Sequence, residues 1–83
     1  EDVRKIRVFA TKKRFRKLVT VIEGLDEERL DECAKELKPK LACGGTVKEG
    51  VIVLQGNHLA KIKSLLMAQN YPAESIVIIP GLN

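Results

Sequence analysis

The sequence predicts an α/β fold of the α+β two-layer type, in which two helices lie on one face of a mixed five-stranded sheet. The first observation is the predicted element order, β-β-α-β-β-α-β, which from the second strand onward is a split βαβ pattern. The second is that each predicted helix carries a single apolar stripe and therefore needs one apolar surface to pack against. The third is the length of 83 residues, which suits one domain over residues 1–83.

Alternation of apolar and polar residues indicates two strands near the start of the chain, over residues 5–10 and 16–23. In the second of these, Leu18, Val19 and Ile22 place apolar groups on both faces. Apolar groups on both faces are typical of a strand that is covered on two sides. We therefore expect the second strand to lie at the centre of the sheet.

Three more strands are predicted in the second half of the chain. Residues 46–48 and 51–55 form a hairpin that turns at Glu49 and Gly50, a minimal two-residue connection. The segment Ile76–Ile79 is an uninterrupted apolar run. We expect this run to be a final, buried strand.

The first helix is predicted to follow Gly24, with Asp26 as its N-cap. Near its end Pro39 cannot donate a backbone hydrogen bond, which predicts a kink or a stop near Lys38. The apolar stripe of this helix consists of Leu30, Ala34, Leu37 and Leu41.

The second helix is predicted to begin after Asn57, a good capping residue, and to run to about Gln69. Asn70, which tolerates a left-handed conformation, and Pro72 are expected to end it. Its buried face is predicted to contain Leu59, Ile62, Leu65 and Leu66. His58, Lys61 and Lys63 are expected on or near its wet side.

The most unusual stretch is residues 11–17, in which five of the seven residues are cationic. Because it joins the first two predicted strands, it is predicted to be a hairpin loop. A concentrated cationic loop suits a polyanion such as nucleic acid. The alternative is that these cations only keep the tip of the hairpin soluble. The candidate RNA-binding residues of the loop are Lys12, Lys13, Arg14, Phe15, Arg16 and Lys17.

Charge is distributed unevenly along the chain. Eight of the 15 Lys and Arg residues lie in the first seventeen positions, and eight of the 11 acidic residues lie within residues 23–49. This distribution predicts a basic end and an acidic middle, which would orient the molecule on an anionic surface. The cations expected to add a positive field beside the loop are Arg4, Lys5, Arg7, Lys61 and Lys63.

An acidic cluster opens the first predicted helix. Its four carboxylates favour the positive end of the helix dipole, so we interpret them as a solvated face. A carboxylate or metal cluster is the alternative interpretation. A second functional hypothesis is a protein-interaction module, in which this face docks a basic partner. The cluster consists of Glu27, Glu28, Asp31 and Glu32.

The sequence contains no catalytic constellation, and an enzyme is not expected. His58 is the only histidine, and no partner of a suitable type is fixed near it in the sequence. Ser64 and Ser75 lack the context of a nucleophile elbow. Gly44 and Gly45 do not continue into a phosphate loop or a dinucleotide fingerprint. We therefore expect no cofactor and no bound metal.

The two cysteines, Cys33 and Cys43, lie in apolar contexts and are interpreted as small buried hydrophobes. A disulfide or a redox role is the alternative. No apolar run is long enough to cross a bilayer and no signal peptide is present, so the expected location is the cytoplasm. The chain begins at Glu1 and not at Met, which predicts that a preceding segment was removed or left out. Residues 1–4 are expected to be flexible.

Three blocks carry a resemblance to a known family: Leu-Val-Thr-Val-Ile-Glu-Gly-Leu-Asp at 18–26, Cys-Gly-Gly-Thr-Val-Lys at 43–48 and Leu-Gln-Gly-Asn-His at 54–58. In this order and spacing they resemble the translation initiation factor 1 family, which eukaryotes and archaea share. The similarity extends over roughly residues 5–79. The compact form, with a two-residue hairpin turn, is most similar to an archaeal member.

The resemblance implies an α/β two-layer fold and a factor that binds the small ribosomal subunit near the P site. Factors of this family promote accurate start-codon and initiator tRNA selection, and they leave when pairing is correct. The basic loop would contact ribosomal RNA, and Phe15 would either stack on a base or pack back over the hairpin. The implied partners are small-subunit RNA, indirectly mRNA and initiator tRNA, and other initiation factors, with the chain itself a monomer. A related factor of the density-regulated type, acting in reinitiation or recycling, is the alternative within the resemblance.

The sequence departs from the family pattern at three places. Asn57 stands where Asp is usual, and both residues cap a helix well. The turn at Glu49 and Gly50 is shorter than the loop that approaches initiator tRNA in eukaryotic members. Pro39 stands where a basic residue is common, so we expect the end of the first helix to differ.

Overall fold

The computed structural model of the chain describes residues 5–12 and 17–79. These residues form an α+β fold with a mixed five-stranded sheet and two helices, as the sequence predicts. In chain order the elements are β1 (Ile6–Lys12), β2 (Leu18–Glu23), α1 (Leu30–Leu41), β3 (Gly45–Lys48), β4 (Val51–Gln55), α2 (Leu59–Ala68) and β5 (Ile76–Ile79).

The strands lie side by side in the order β3-β4-β2-β1-β5. The pair β1 and β5 is parallel, and the other neighbouring pairs are antiparallel. Val8 lies opposite Ile22, and Ile22 lies opposite Ile52, so one register connects the three inner strands. The position of β2 in the middle of the sheet confirms the prediction made from its apolar residues.

The core lies between the two helices and one face of the sheet. Alternate residues of each inner strand point into it, and Val8, Ile22 and Ile52 have no exposed surface. Leu37 of α1 and Leu66 of α2 are equally buried and belong to the same cluster. Each fully buried aliphatic side chain contributes about 1.5–3 kcal/mol of transfer free energy, so this cluster holds the two layers together.

The first helix begins later than predicted. The backbone carbonyl of Asp26 accepts a hydrogen bond from the Arg29 amide at 2.9 Å, which closes a 3-10 turn over Glu27–Arg29. The α-helix proper starts at Leu30. The prediction of Asp26 as the N-cap of α1 is therefore wrong, because an additional turn separates the two.

The first helix also continues past the predicted stop. It runs through Pro39 to Leu41, and Ala42 then takes a left-handed conformation with φ 53°. The amides of Ala42 and Cys43 donate to the carbonyls of Pro39 and Lys38 at 3.2 and 3.0 Å, which caps the last turn. A stop near Lys38 is therefore wrong. Pro39 removes a single donor near the helix end, and burial of Leu41 favours one more turn.

The second helix agrees more closely with its prediction. The side-chain oxygen of Asn57 accepts a hydrogen bond from the Leu59 amide at 3.2 Å, while the His58 carbonyl accepts the first helical bonds. Asn70 has φ 75° and ends the helix in a left-handed conformation, as expected. Leu59 and Leu65 are half-buried and not fully buried, but both pack against the core.

The last strand is less buried than predicted. Val77 and Ile79 are 37% and 39% exposed, whereas Ile76 is buried. The reason is the position of β5 at an edge of the sheet, where only one of its faces lies against the core. The prediction of a buried strand is therefore wrong for Val77 and Ile79.

Candidate nucleic-acid interface

The basic loop lies between two strands that stay paired up to its mouth. Lys12, the last residue of β1, lies opposite Leu18, the first residue of β2. Both Lys12 and Lys17 are exposed. The predicted site residues at positions 13–16, which include Phe15, lie outside the described residues, as does Arg4. The described part of the site is therefore a strand hairpin with a lysine on each side of its mouth.

A buried threonine fixes the base of this hairpin. Thr20 of β2 has no exposed surface. Its hydroxyl donates a hydrogen bond to the Gly56 carbonyl at 2.7 Å and accepts one from the His58 amide at 3.0 Å. The Gly56 amide in turn donates to the Leu18 carbonyl at 2.8 Å. These hydrogen bonds connect β2, the strand that follows the loop, to the turn before α2. The buried Thr20 hydroxyl has a partner both as a donor and as an acceptor.

His58 belongs to this support, and it is partly exposed, near the wet side of α2 as predicted. Its side chain is half-buried, and ring Nε2 lies 2.6 Å from the Gln55 carbonyl oxygen. Because a carbonyl oxygen can only accept, Nε2 carries the proton in this contact. The ring thus closes the turn at residues 55–58 onto itself.

The structure places Arg7 far from the loop. Its Nε lies 3.1 Å from Oε1 of Glu23, across the opposite end of the hairpin from Lys12. Lys12 lies five positions after Arg7 along the extended strand, so their Cα atoms are about 17 Å apart. A role for Arg7 in RNA binding stays a prediction, but its charge is paired and remote from the loop mouth.

The lysines of α2 lie nearer to the loop end. The Lys61 amide donates to the His58 carbonyl at 3.1 Å, which places Lys61 in the first turn of α2, beside the turn that Thr20 holds. Lys61 and Lys63 are both exposed and flank the buried Ile62. Residues that are two positions apart in an α-helix are rotated by about 200° around its axis, so these lysines point to different sides of α2. Their contact with RNA stays a prediction.

The short second hairpin turn lies at the other end of the sheet. Gln55 pairs with Val19 near the loop, whereas Ile52 pairs with Ile22 near the far end. Glu49 and Gly50, which precede β4, have φ 52° and 82°. Positive φ at both central residues is typical of the tight turn that twists with its strands. This turn is therefore about one strand length away from the basic loop.

Acidic residues gather at that far end as well. A cleft of about 950 Å³ there is lined by both signs of charge, including Arg7 and Glu27. The predicted acidic face of α1 and its leading turn is exposed throughout, at Glu27, Glu28, Asp31 and Glu32. The first seventeen residues therefore do not form one basic end, because β1 carries its cations at both of its ends.

The cysteines are free and unsuited to nucleophilic chemistry. Cys33 is 2% exposed, and burial raises the pKa of its thiol to about 11. Cys43 is half-buried, and burial raises the pKa of its thiol too. The thiolate is the reactive form of cysteine, and a raised pKa keeps it scarce near neutral pH. Cys33 is a small buried hydrophobe as predicted, whereas Cys43 is only partly covered.

Two further properties of the described residues bear on the kind of site. Within residues 5–12 and 17–79, no three His, Cys, Asp or Glu side chains are placed to hold a metal ion. In the same part of the chain, no helix is long and apolar enough to cross a membrane.

Comparison with known proteins places the chain in a family. Residues 2–72 match the sequence model of a family described as translation initiation factor SUI1. The chain belongs to this family. One relative, from Methanosphaera stadtmanae, is 44% identical to this SUI1-family chain over 79 residues, which cover 93% of the chain and 78% of the relative. A relative from Thermococcus onnurineus is 49% identical over 80 residues, covering 94% and 82%.

A third relative, from Ignicoccus hospitalis, is 51% identical over 76 residues, which cover 89% of the SUI1-family chain and 73% of the relative. All three relatives are described as protein translation factor SUI1 homologs and come from archaea. The expectation of a translation initiation factor 1 family member of archaeal type is confirmed.

The three sequence blocks that carried the resemblance meet at the base of the basic loop in this SUI1-family chain. Thr20 comes from the first block, and it bonds to the turn formed by the third. The Gln55 amide donates to the carbonyl of Gly44, from the second block, at 2.8 Å. A Cβ at position 45 would lie 2.7 Å from the Val53 carbonyl oxygen, so only glycine fits there.

Sequence reasoning did not single out Thr20 as a support of the site. One signal was available, because Thr20 lies between Leu18 and Ile22 on the side of β2 that faces the core. A polar residue at such a position must find hydrogen-bond partners within the protein. Its partners are a carbonyl and an amide 36 and 38 residues further along the chain, which no local pattern identifies.

Proposed function

We propose that the chain is a translation initiation factor that binds the small ribosomal subunit near the P site and promotes accurate start-codon and initiator tRNA selection. The basic loop over residues 12–17 is the element that contacts ribosomal RNA. The observation that carries this proposal is the exposed pair Lys12 and Lys17 at the mouth of a hairpin whose base is held by Thr20. Membership of a translation initiation factor family supports the same function.

The physical basis of the contact is electrostatic. Lysine and arginine side chains that neutralise phosphates release counterions, so binding is strong at low salt and weakens as salt rises. On structured RNA, shape and phosphate contacts dominate over the reading of base edges. A rigid base matters because a loop that is already positioned loses less conformational entropy when it binds.

We further propose that the chain is a single domain that acts in the cytoplasm as a monomer, without enzymatic activity and without a cofactor. Its partners are small-subunit RNA, indirectly mRNA and initiator tRNA, and other initiation factors on the same subunit.

The loop assignment is tested by removing its two described lysines. The variant Lys12→Ala with Lys17→Ala should bind small subunits more weakly, and the slope of log affinity against log salt should become shallower by about 1–2. The matched control is Lys5→Ala with Lys48→Ala, which removes the same charge at the far end of the sheet. Co-sedimentation with small subunits over a range of salt measures both variants.

The two variants must differ for the assignment to hold. If the control lowers affinity and slope as much as the loop variant, the contribution is general charge and not the loop. If the loop variant binds as well as the unchanged chain while its fold is intact, the loop does not contact the RNA.

A second candidate function is a protein-interaction module that uses the acidic helix. The exposure of Glu27, Glu28, Asp31 and Glu32 favours it. Reversal of these four charges should then abolish activity in an initiation assay while small-subunit binding is retained. Equal loss of activity and of small-subunit binding would count against this second function.

A further inference from the structure

One face of the sheet has an apolar centre, and neither of the two helices in the described part of the chain packs on it; we call it the open face. Val21 lies opposite Phe9 on one side and Val53 on the other, and Phe9 lies opposite Ile79. Residues opposite each other in a sheet share one face, so these side chains form a row across four strands. The described apolar residues of the open face are Phe9, Val19, Val21, Val51, Val53, Val77 and Ile79.

The helices do not cover this face. The core cluster formed with α1 and α2 contains none of these residues. Val21 is nevertheless only 9% exposed, because its neighbours in the sheet shield it, while Val77 and Ile79 at the edge are 37% and 39% exposed. Contiguous apolar surface of this kind marks a docking site more often than an isolated exposed side chain does.

The rim of the open face is cationic. Arg7 lies on this face because it pairs with Val77. Lys48 lies on it too, because Thr46, two residues earlier in β3, pairs with Val53. Lys5 and Lys17 are exposed just before β1 and β2. Among the described strand residues of this face, Glu23 is the one acid, and it already lies 3.1 Å from Arg7. The open face is therefore apolar at its centre and positively charged around it.

We propose that the open face docks an amphipathic, acidic segment of a partner protein. An apolar stripe on the segment covers the Phe9 to Val53 row, and its carboxylates meet Lys5 and Lys48. Charge complementarity decides the sign of the partner, because an acidic flank is attracted to this rim and a basic one is repelled. This interaction goes beyond the proposed function, since the open face is distinct from the hairpin tip that binds RNA.

Two other occupants fit this face less well. Single-stranded RNA binds sheets through aromatic side chains on which bases stack. Among the described residues, Phe9 is the only aromatic residue of the open face, and its apolar neighbours there are valine and isoleucine. A second copy of the chain, joined open face to open face, would place two cationic rims against each other across a twofold axis.

The test uses a synthetic helix as the probe. It carries leucine at positions i, i+3, i+4 and i+7 with glutamate on both flanks, and a matched probe carries lysine in place of every glutamate. Amide chemical shifts of the chain are followed by NMR during titration. The acidic probe should shift Phe9, Val21 and Val77 and bind more weakly as salt rises, and the basic probe should bind at least about tenfold more weakly.

Variants of the chain locate the contact. Val77→Ser with Ile79→Ser should weaken the acidic probe about tenfold or more, because two apolar side chains lose their buried contact. The matched control is Met67→Ser, which removes a 47% exposed apolar side chain from α2. Lys5→Glu with Lys48→Glu keeps the apolar contact and should reverse the preference between the two probes. Val77→Ser with Ile79→Ser and the control Met67→Ser change no charge, and neither should alter small-subunit binding through the loop by more than about twofold.

Several results would overturn the proposal. Absence of binding, shifts confined to the helices, or equal binding of the two probes would each do so. Concentration-dependent shifts of the same amides without a probe would assign the face to a second copy. Tighter binding of a single-stranded RNA oligonucleotide to the same amides would assign it to RNA.

Discussion

At the scale of single residues, Thr20 connects the sequence to the proposed site most directly. Its hydroxyl is completely buried and makes two hydrogen bonds, one to the Gly56 carbonyl and one from the His58 amide. A polar group without exposed surface is costly unless it is paired, so Thr20 and the turn at residues 55–58 depend on each other. The three blocks that carry the resemblance therefore fold onto one another in this chain.

The contribution of Thr20 is measurable. Thr20→Val keeps the shape of the side chain but leaves the Gly56 carbonyl and the His58 amide without their partner. We expect the free energy of unfolding to fall by about 1–3 kcal/mol. Thr46→Val, at an exposed position of β3, should change it by less than about 0.5 kcal/mol. Urea unfolding of both variants checks this, and equal values would show that the buried hydroxyl does not stabilise the turn.

A second residue-scale contact joins the ends of the two helices. The Arg29 guanidinium donates to the Gln69 carbonyl at 3.3 Å and lies 4.8 Å from the centre of the Tyr71 ring. The last turn of α2 contains no basic residue of its own. Arg29 therefore places a positive charge at the negative end of α2 from a different element.

At the scale of elements, α1 shows how packing overrides a local rule. Pro39 lies inside the helix, which continues to Leu41. A proline near the helix end loses a single hydrogen bond, whereas an early stop would expose Leu41, which is 9% exposed in the fold. The local preference for a stop is the weaker of the two effects.

Replacement of this proline should stabilise the protein. Pro39→Ala restores the backbone donor and removes the clash with the preceding turn, and we expect a gain of about 1 kcal/mol in the free energy of unfolding. The gain is below the full cost of a helix-interior proline, because proline also restricts the unfolded chain. Lys40→Ala serves as the neighbouring control, with little change expected. A loss of stability in Pro39→Ala would mean that the proline fits its position without strain.

Elements were predictable from the sequence where the determining interactions are local. The hairpin turn at Glu49 and Gly50 and the left-handed residue Asn70 follow from backbone preferences of a few neighbouring residues. The start of α1 and the exposure of β5 were not predictable in this way. The start of α1 depends on an added 3-10 turn. The exposure of β5 depends on which strand lies at the edge of the sheet.

The candidate site was predictable in part, for the same reason. The cationic composition of residues 11–17 is visible in the sequence, and Lys12 and Lys17 are exposed where the prediction requires it. The separation of Arg7 from the loop depends on the length and direction of β1, and its pairing with Glu23 depends on the hairpin register. Sequence proximity alone therefore placed Arg7 too near the site.

At the scale of the whole molecule, charge is separated along the strands. The loop end carries Lys12 and Lys17, while the far end mixes cations with acids: Lys5, Arg7, Lys48, Glu23 and Glu49. A net charge of +4 understates this separation. Such a distribution favours an approach to anionic RNA with the loop end first.

Orientation on the small subunit is the most direct test of this account. Iron tethered to a single introduced cysteine cleaves nearby RNA by hydroxyl radicals. Thr11→Cys places the probe beside the loop mouth, and Glu49→Cys places it at the far end. Both are made with Cys43→Ala, which leaves Cys33 as the other thiol, buried at 2% exposure.

The account predicts strong cleavage of small-subunit RNA around the P site from the probe at position 11, and much weaker cleavage there from position 49. The opposite result, with cleavage around the P site mainly from position 49, would contradict the assignment of the basic loop as the RNA-binding element.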